Sequence, residues 1–126
     1  MPRQEPLIGI VDDDADIPVA LSSLVRSLGY GAECFTSAEQ LLRRADLSSF
    51  SCVISDIHMP TMNGLELARK LRELANGPPV ILMTGHSEPG LEEQAYESGA
   101  MSFVTKPFTF EDLSQNLSKA LEAAPD

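Results

Sequence analysis

Five short apolar runs alternate along this chain with segments of helical periodicity, and few folds accommodate that rhythm. The runs cover residues 7–11, 32–35, 51–55, 79–83 and 101–105. They are largely continuous in hydrophobicity rather than alternating, as strands buried on both faces are. After the first run, Ile17, Ala20, Leu21, Leu24, Val25 and Leu28 recur at helical spacing and stop at Gly29. Ser37 with Gln40 resembles a capping box opening a helix that carries Leu41 and Leu42. Leu65, Ala68, Leu71 and Leu74 trace a helix ending near Asn76-Gly77, which Pro78 and Pro79 forbid from continuing. Residues 91–98 form a fourth helix with Gly99 as its stop. Thr109 caps a fifth, with Phe110, Leu113, Leu117, Ala120 and Leu121 on one face. Strands alternating with helices predict an α/β fold: a doubly wound, five-stranded parallel sheet with helices on both faces, in the flavodoxin-like strand order 2-1-3-4-5.

At 126 residues the chain fits a single domain, with its core over about 7–121 and residues 122–126 as a tail or the start of a linker. Its net charge of -10, with nine basic residues, argues against direct binding of nucleic acid. No apolar stretch approaches the roughly 18 residues of a membrane span, and no secretory leader is legible, so the expected location is the cytoplasm, away from membranes. Cys34 and Cys52 lie in separate apolar segments and read as buried free thiols of a reducing compartment.

Polar residues follow four of the strands. The first runs into Asp12-Asp13-Asp14, the third into Asp56-Ile57-His58-Met59-Pro60, the fourth into Thr84-Gly85, and the fifth into Lys106-Pro107. In open α/β sheets ligands bind beyond the carboxyl ends of the strands, near the point where strand order reverses. Strands one and three meet there, which brings Asp12, Asp13 and Asp56 together. Two carboxylates about 4 Å apart repel by about 4 kcal/mol at an effective dielectric near 20. Three sharing a pocket imply a divalent cation, and all-oxygen ligation suits Mg2+ or Mn2+ better than zinc. Taken singly, these residues also have plainer readings. The Asp12-Asp13-Asp14 run suits the approach to a helix N-terminus, the role kept for Asp14. Thr84 reads as a strand residue, Lys106 as a surface lysine and Phe103 as core.

Set in order, Asp12-Asp13, Asp56 with Met59-Pro60 and Gly64, Thr84, and Lys106-Pro107 resemble the receiver domains of two-component response regulators. The spacing is nearest that of FixJ-type receivers in the CheY-like superfamily, and the resemblance runs from about Leu7 to Leu121. It implies a signalling switch rather than a conventional enzyme. Asp56 takes a phosphoryl group from a sensor histidine kinase or a histidine phosphotransfer protein, with intrinsic Mg2+-dependent self-phosphorylation and autodephosphorylation. Asp13, Asp56 and the main-chain carbonyl of His58 hold the ion, with Asp12 acting directly or through water. Lys106 and Thr84 bond phosphoryl oxygens, Thr84 and Phe103 form the switch, and a cis Lys106-Pro107 peptide aims the amine. The fourth helix, fifth strand and fifth helix form the readout face. Its Tyr96, Glu92, Glu93 and Glu97 are candidate contacts for a downstream effector, a covalently linked output domain or a phosphorylation-linked homodimer. His58 and His86 occupy positions that tune hydrolysis of the acyl phosphate, through titration near neutral pH.

Three other readings are weighed against this one. A phosphatase of the dehalogenase class wants a second aspartate two residues after the nucleophile, where this chain has His58. A flavin-binding module wants a phosphate loop where three aspartates stand. A receiver-like interaction module that is never phosphorylated is the remaining alternative.

Overall fold

A computed structural model describes residues 6–44, 46–86, 88–106 and 109–123. The elements alternate as the sequence predicts: β1 (Leu7–Val11), α1 (Asp16–Ser27), β2 (Gly31–Phe35), α2 (Ala38–Leu42), β3 (Cys52–Asp56), α3 (Gly64–Arg72), β4 (Val80–Thr84), α4 (Leu91–Glu97), β5 (Ser102–Thr105) and α5 (Phe110–Ala123). A short 3-10 turn, Leu47–Ser49, precedes β3. The sheet order is β2-β1-β3-β4-β5, and every neighbouring pair is parallel.

Alternation within the apolar runs sorts side chains to the two faces of the sheet. Ile8, Ile10, Cys52, Ile54, Ile81 and Met83 pack with Leu21 and Val25 of α1 and Leu113, Leu117 and Ala120 of α5. Val11, Val53, Val80 and Leu82 point the other way, to Ala38 and Leu41 of α2, Leu67, Ala68 and Leu71 of α3, and Leu91 and Ala95 of α4. Both faces are covered, which is why β3 and β4 are buried at every position.

Side-chain caps fix several helix starts. Ser37 Oγ accepts from Gln40 N at 3.1 Å, while Gln40 Oε1 accepts from Thr36 N rather than from Ser37 N, so the expected box is displaced by one residue. Thr109 and Asp112 cap each other reciprocally at the start of α5. A full capping box that the sequence reading overlooked, Asn63 with Glu66, opens α3.

Three side-chain placements differ from expectation. Phe110 shares the helical face of Leu113 and Leu117 but is 50% exposed. Periodicity assigns a face, yet it does not say how far along the helix the apolar sheet surface reaches. Leu74 is likewise exposed, because α3 ends at Arg72 and Leu74 falls in the following turn. Cys52 is buried and free, and burial pushes its thiol up to about 12. Cys34 is free but exposed, since it lies on the edge strand β2. The Lys106-Pro107 peptide and the tail beyond Ala123 lie outside the described residues. Among those described, no helix is long and apolar enough to cross a membrane.

Gly99 and Gly64 are among the glycines that geometry requires. Gly99 ends α4 at φ +103°, and a Cβ there would meet the side chain of Arg72, whose Nη1 donates to the Glu97 carbonyl at 3.2 Å. At Gly64 a Cβ would overlap the Asp56 carbonyl oxygen and lie 2.9 Å from Ile57 Cα. Both obstacles are backbone, so neither can yield cheaply. Gly64→Ala is therefore expected to lower stability by about 1–3 kcal/mol in urea denaturation, and a variant as stable as the parent would contradict the close approach.

Candidate functional site

Register delivers the acids. Val11 pairs with Ser55 across β1 and β3, so the next residue on each strand, Asp12 and Asp56, stand side by side at the sheet's edge. Asp12 N donates to the Phe35 carbonyl, which keeps the chain extended one step past β1, and Asp12 Oδ1 accepts from Asp14 N at 2.9 Å. Ile57 N donates to the Met83 carbonyl, holding the exit from β3 against β4. The hydroxyl of Ser55, a residue the sequence reading passed over, donates to the Asp56 carbonyl at 2.9 Å.

Asp12, Asp13 and Asp56 each offer a carboxylate oxygen, all within 4.8 Å of one another. Asp12 and Asp56 are buried, at 1% and 8% exposure, whereas Asp13 faces solvent. Lys106 enters from β5. Its backbone N–H donates to the Thr84 carbonyl at 2.7 Å, and its Nζ lies 3.0 Å from Asp12 Oδ2 and 3.8 Å from Asp56 Oδ1. The predicted amine therefore does reach the acids, with Asp12 as its nearer partner. The donor set contains no thiolate or imidazole, so it fits a hard divalent cation such as Mg2+ or Mn2+.

Thr84 stands at the end of the adjacent strand, fully buried. Its Oγ1 accepts from His86 N and donates to the His86 carbonyl, each at 3.1 Å, so the hydroxyl closes the start of the β4–α4 loop. Phe103 pairs in register with Leu82 and packs, partly buried, against the core under α2, α3 and α4. It belongs to the helix-packing side rather than to the acid cluster. The side chains of His58 and His86 are exposed.

Burial pushes the Asp56 carboxyl above its ordinary range; Lys106 acts against this, Asp12 and Asp13 reinforce it, and His58 opposes it. The sign of the linkage follows. An acid whose folded pKa is raised stabilises the fold at low pH, and that contribution is lost as pH rises through the folded value. At neutral pH, without a cation, ionised Asp56 thus weakens the fold. Asp56→Asn is expected to raise the metal-free melting midpoint by a few degrees at pH 7, with the gain shrinking as pH falls toward the ordinary carboxylate range. Equal midpoints at both ends of that range would show that the site carries no net repulsion.

Comparison with known proteins bears on this geometry. A model of the response regulator receiver domain matches residues 8–118. The response regulator protein TmoT of Ectopseudomonas mendocina is 44% identical over 125 residues, covering 99% of this chain and 57% of that protein. The transcriptional regulatory protein FixJ of Bradyrhizobium diazoefficiens is 34% identical, over 93% of this chain and 57% of its own length. The chain thus spans little more than half the length of these relatives. Among solved structures, FixJ-N superimposes with a TM-score of 0.86 at 28% identity, covering 98% of this chain and 99% of that one. A CheY-like receiver domain protein from Methanospirillum hungatei gives 0.84 at 28% identity, over 94% and 95% of the two chains. By the extent of these matches, the chain belongs to the response regulator receiver domains of two-component systems.

Proposed function

We propose that Asp56 is the phosphoryl acceptor of a signalling switch, and that a sensor histidine kinase or a histidine phosphotransfer protein is the donor. In the transfer the N–P bond to the donor imidazole breaks as a bond from an Asp56 carboxylate oxygen to phosphorus forms. The observation that carries this reading is the convergence of Asp12, Asp13, Asp56 and Lys106 at one end of the sheet. A carboxylate is a weak nucleophile toward phosphorus bearing negative oxygens, so alignment and charge neutralisation must do most of the catalysis. Bound by Asp13, Asp56 and the His58 carbonyl, with Asp12 direct or through water, Mg2+ would supply the larger part of that neutralisation.

The protein's own groups supply the rest. Lys106, now paired with Asp12, is within reach of Asp56 and would turn part of its charge to a phosphoryl oxygen. Thr84 would exchange its bonds to the His86 main chain for a bond to another phosphoryl oxygen. Each such charge-assisted bond contributes about 1.5–3 kcal/mol, and about 5.5 kcal/mol inverts a 1:99 equilibrium. Two or three therefore suffice to shift the β4–α4 loop, with Phe103, α4, β5 and α5 carrying the change to an effector or a linked output domain. The greater length of the FixJ and TmoT relatives supports a linked domain.

Incubation of the chain with a small acyl phosphate and Mg2+ is expected to add one phosphoryl mass increment to the parent, and none to Asp56→Asn or to the parent in chelator. An unmodified parent would favour the alternative, an interaction module that is never phosphorylated. His58 and His86 flank the site and are exposed, positions from which their side chains would govern the approach of water to the acyl phosphate. The His58→Ala, His86→Ala double variant is expected to lose its phosphoryl increment at a rate several-fold different from the parent's, and superimposable decay curves would leave both histidines without a role.

A further inference from the structure

One row of paired residues crosses all five strands: Phe35, Val11, Ser55, Leu82 and Phe103. Four of its members belong to, or pack against, the apolar core under α2, α3 and α4, as do Val53 and Ile57, two residues to either side along β3. Ser55 is the exception, a hydroxyl residue with 0% exposure among hydrocarbon neighbours. Valine would fill such a place at no polar cost, whereas a buried hydroxyl is unfavourable unless it finds a partner.

That partner is the main chain of the residue that follows it. The β1–β3 register ends at Val11–Ser55 and the β3–β4 register at Asp56–Met83, so the Asp56 carbonyl stands where the ladders run out. Ser55 Oγ donates to this carbonyl at 2.9 Å, and Ile57 N donates to the Met83 carbonyl, also at 2.9 Å. The peptide unit joining Asp56 to Ile57 is thereby held at both of its polar atoms. Gly64 closes over the same carbonyl from α3, with no room for a side chain. A planar peptide fixed in this way fixes the Cα it leaves, and with it the direction in which the Asp56 side chain departs.

We propose that Ser55 is a positioning residue for phosphoryl transfer: its hydroxyl locks the peptide after Asp56, and so holds the carboxylate in line for attack on phosphorus. This rests on the reading of Asp56 as the acceptor, and Ser55 acts only through that residue. Because the transfer depends on alignment rather than on a base, a small loss of aim shows in the rate more than in the fold. The hydroxyl, not the volume of the side chain, is what the rate should follow.

The test uses the whole chain with acetyl phosphate at one concentration and saturating Mg2+. The initial rate of phosphoryl gain is read by intact mass, well below each variant's measured melting midpoint. In this reaction the bond from phosphorus to the acetate oxygen breaks as the bond from an Asp56 carboxylate oxygen forms, and acetate leaves. Ser55→Ala is expected to slow the rate about five- to twentyfold. Ser55→Thr and Ser55→Val add the same volume and differ in the hydroxyl alone. Ser55→Thr is expected to stay within about threefold of the parent, and Ser55→Val to fall as far as Ser55→Ala. A Ser55→Ala rate equal to the parent's would overturn the proposal. Equal rates in Ser55→Thr and Ser55→Val would overturn it too, because packing rather than the hydroxyl would then set the rate. A parent that gains no phosphoryl group would instead refute the acceptor itself, a result distinguishable from the other two because it appears without any variant.

Discussion

Three carboxylates within 4.8 Å of one another, met by one ammonium group, leave the carboxyl edge of this sheet short of positive charge. That deficit organises the site. It adds to the burial that raises the proton affinity of Asp56, draws Lys106 onto Asp12, and gives a divalent ion something to complete. The repulsion is sustained because the acids do not choose their positions. Parallel pairing of β1 with β3 sets Asp12 beside Asp56, and the apolar layers on both faces hold that pairing in place. A stable core thus supports an edge that is unfavourable on its own.

Much of this arrangement is legible in the chain. Continuous apolar runs mark five strands, of which β3 and β4 are buried at every position, helical stripes mark what covers them, and the residue types at strand ends announce where chemistry gathers. The edge acids and Lys106 could be named from sequence because a strand end has a definite place in such a sheet. What escaped depends on extent or on a choice between equivalent partners. The exposure of Phe110 and Leu74 reflects where the core stops along a helix, which periodicity does not encode. Lys106 resting nearer Asp12 than Asp56, and Thr84 bonding the His86 main chain, are decided by distances that only folding supplies. Thr61, whose φ is +69°, left no signal, because threonine is among the last residues one would assign to a positive φ. The Asn63–Glu66 box, by contrast, was readable from its three-residue spacing and the glycine between them.

The hydrogen bonds of Thr84 would give the proposed switch a defined starting point. Its hydroxyl is saturated by the main chain two residues on, both donating and accepting, so the loop's first turn is stitched to the strand end. Anything that claims the hydroxyl must outcompete two neutral hydrogen bonds, and a charged acceptor oxygen is suited to do so. In the proposed switch the stitch would set a threshold that weak polarity at the site does not pass. Because Thr84 ends β4 and α4 begins a few residues later, a local exchange of partners there reaches a whole element.

The last turn of α4 contains no basic residue of its own, and the guanidinium that meets the Glu97 carbonyl is borrowed from Arg72 on α3. The stem of that arginine lies over Gly99, leaving no room for a side chain there. The opposite end opens at Gly90, a left-handed residue with no side-chain cap, next to the loop that Thr84 stitches. The two ends of α4 are thus held unequally: packing and a hydrogen bond from Arg72 pin the Gly99 end, whereas the Gly90 end rests on backbone alone, so a displacement imposed by the proposed switch would swing the helix about its pinned end.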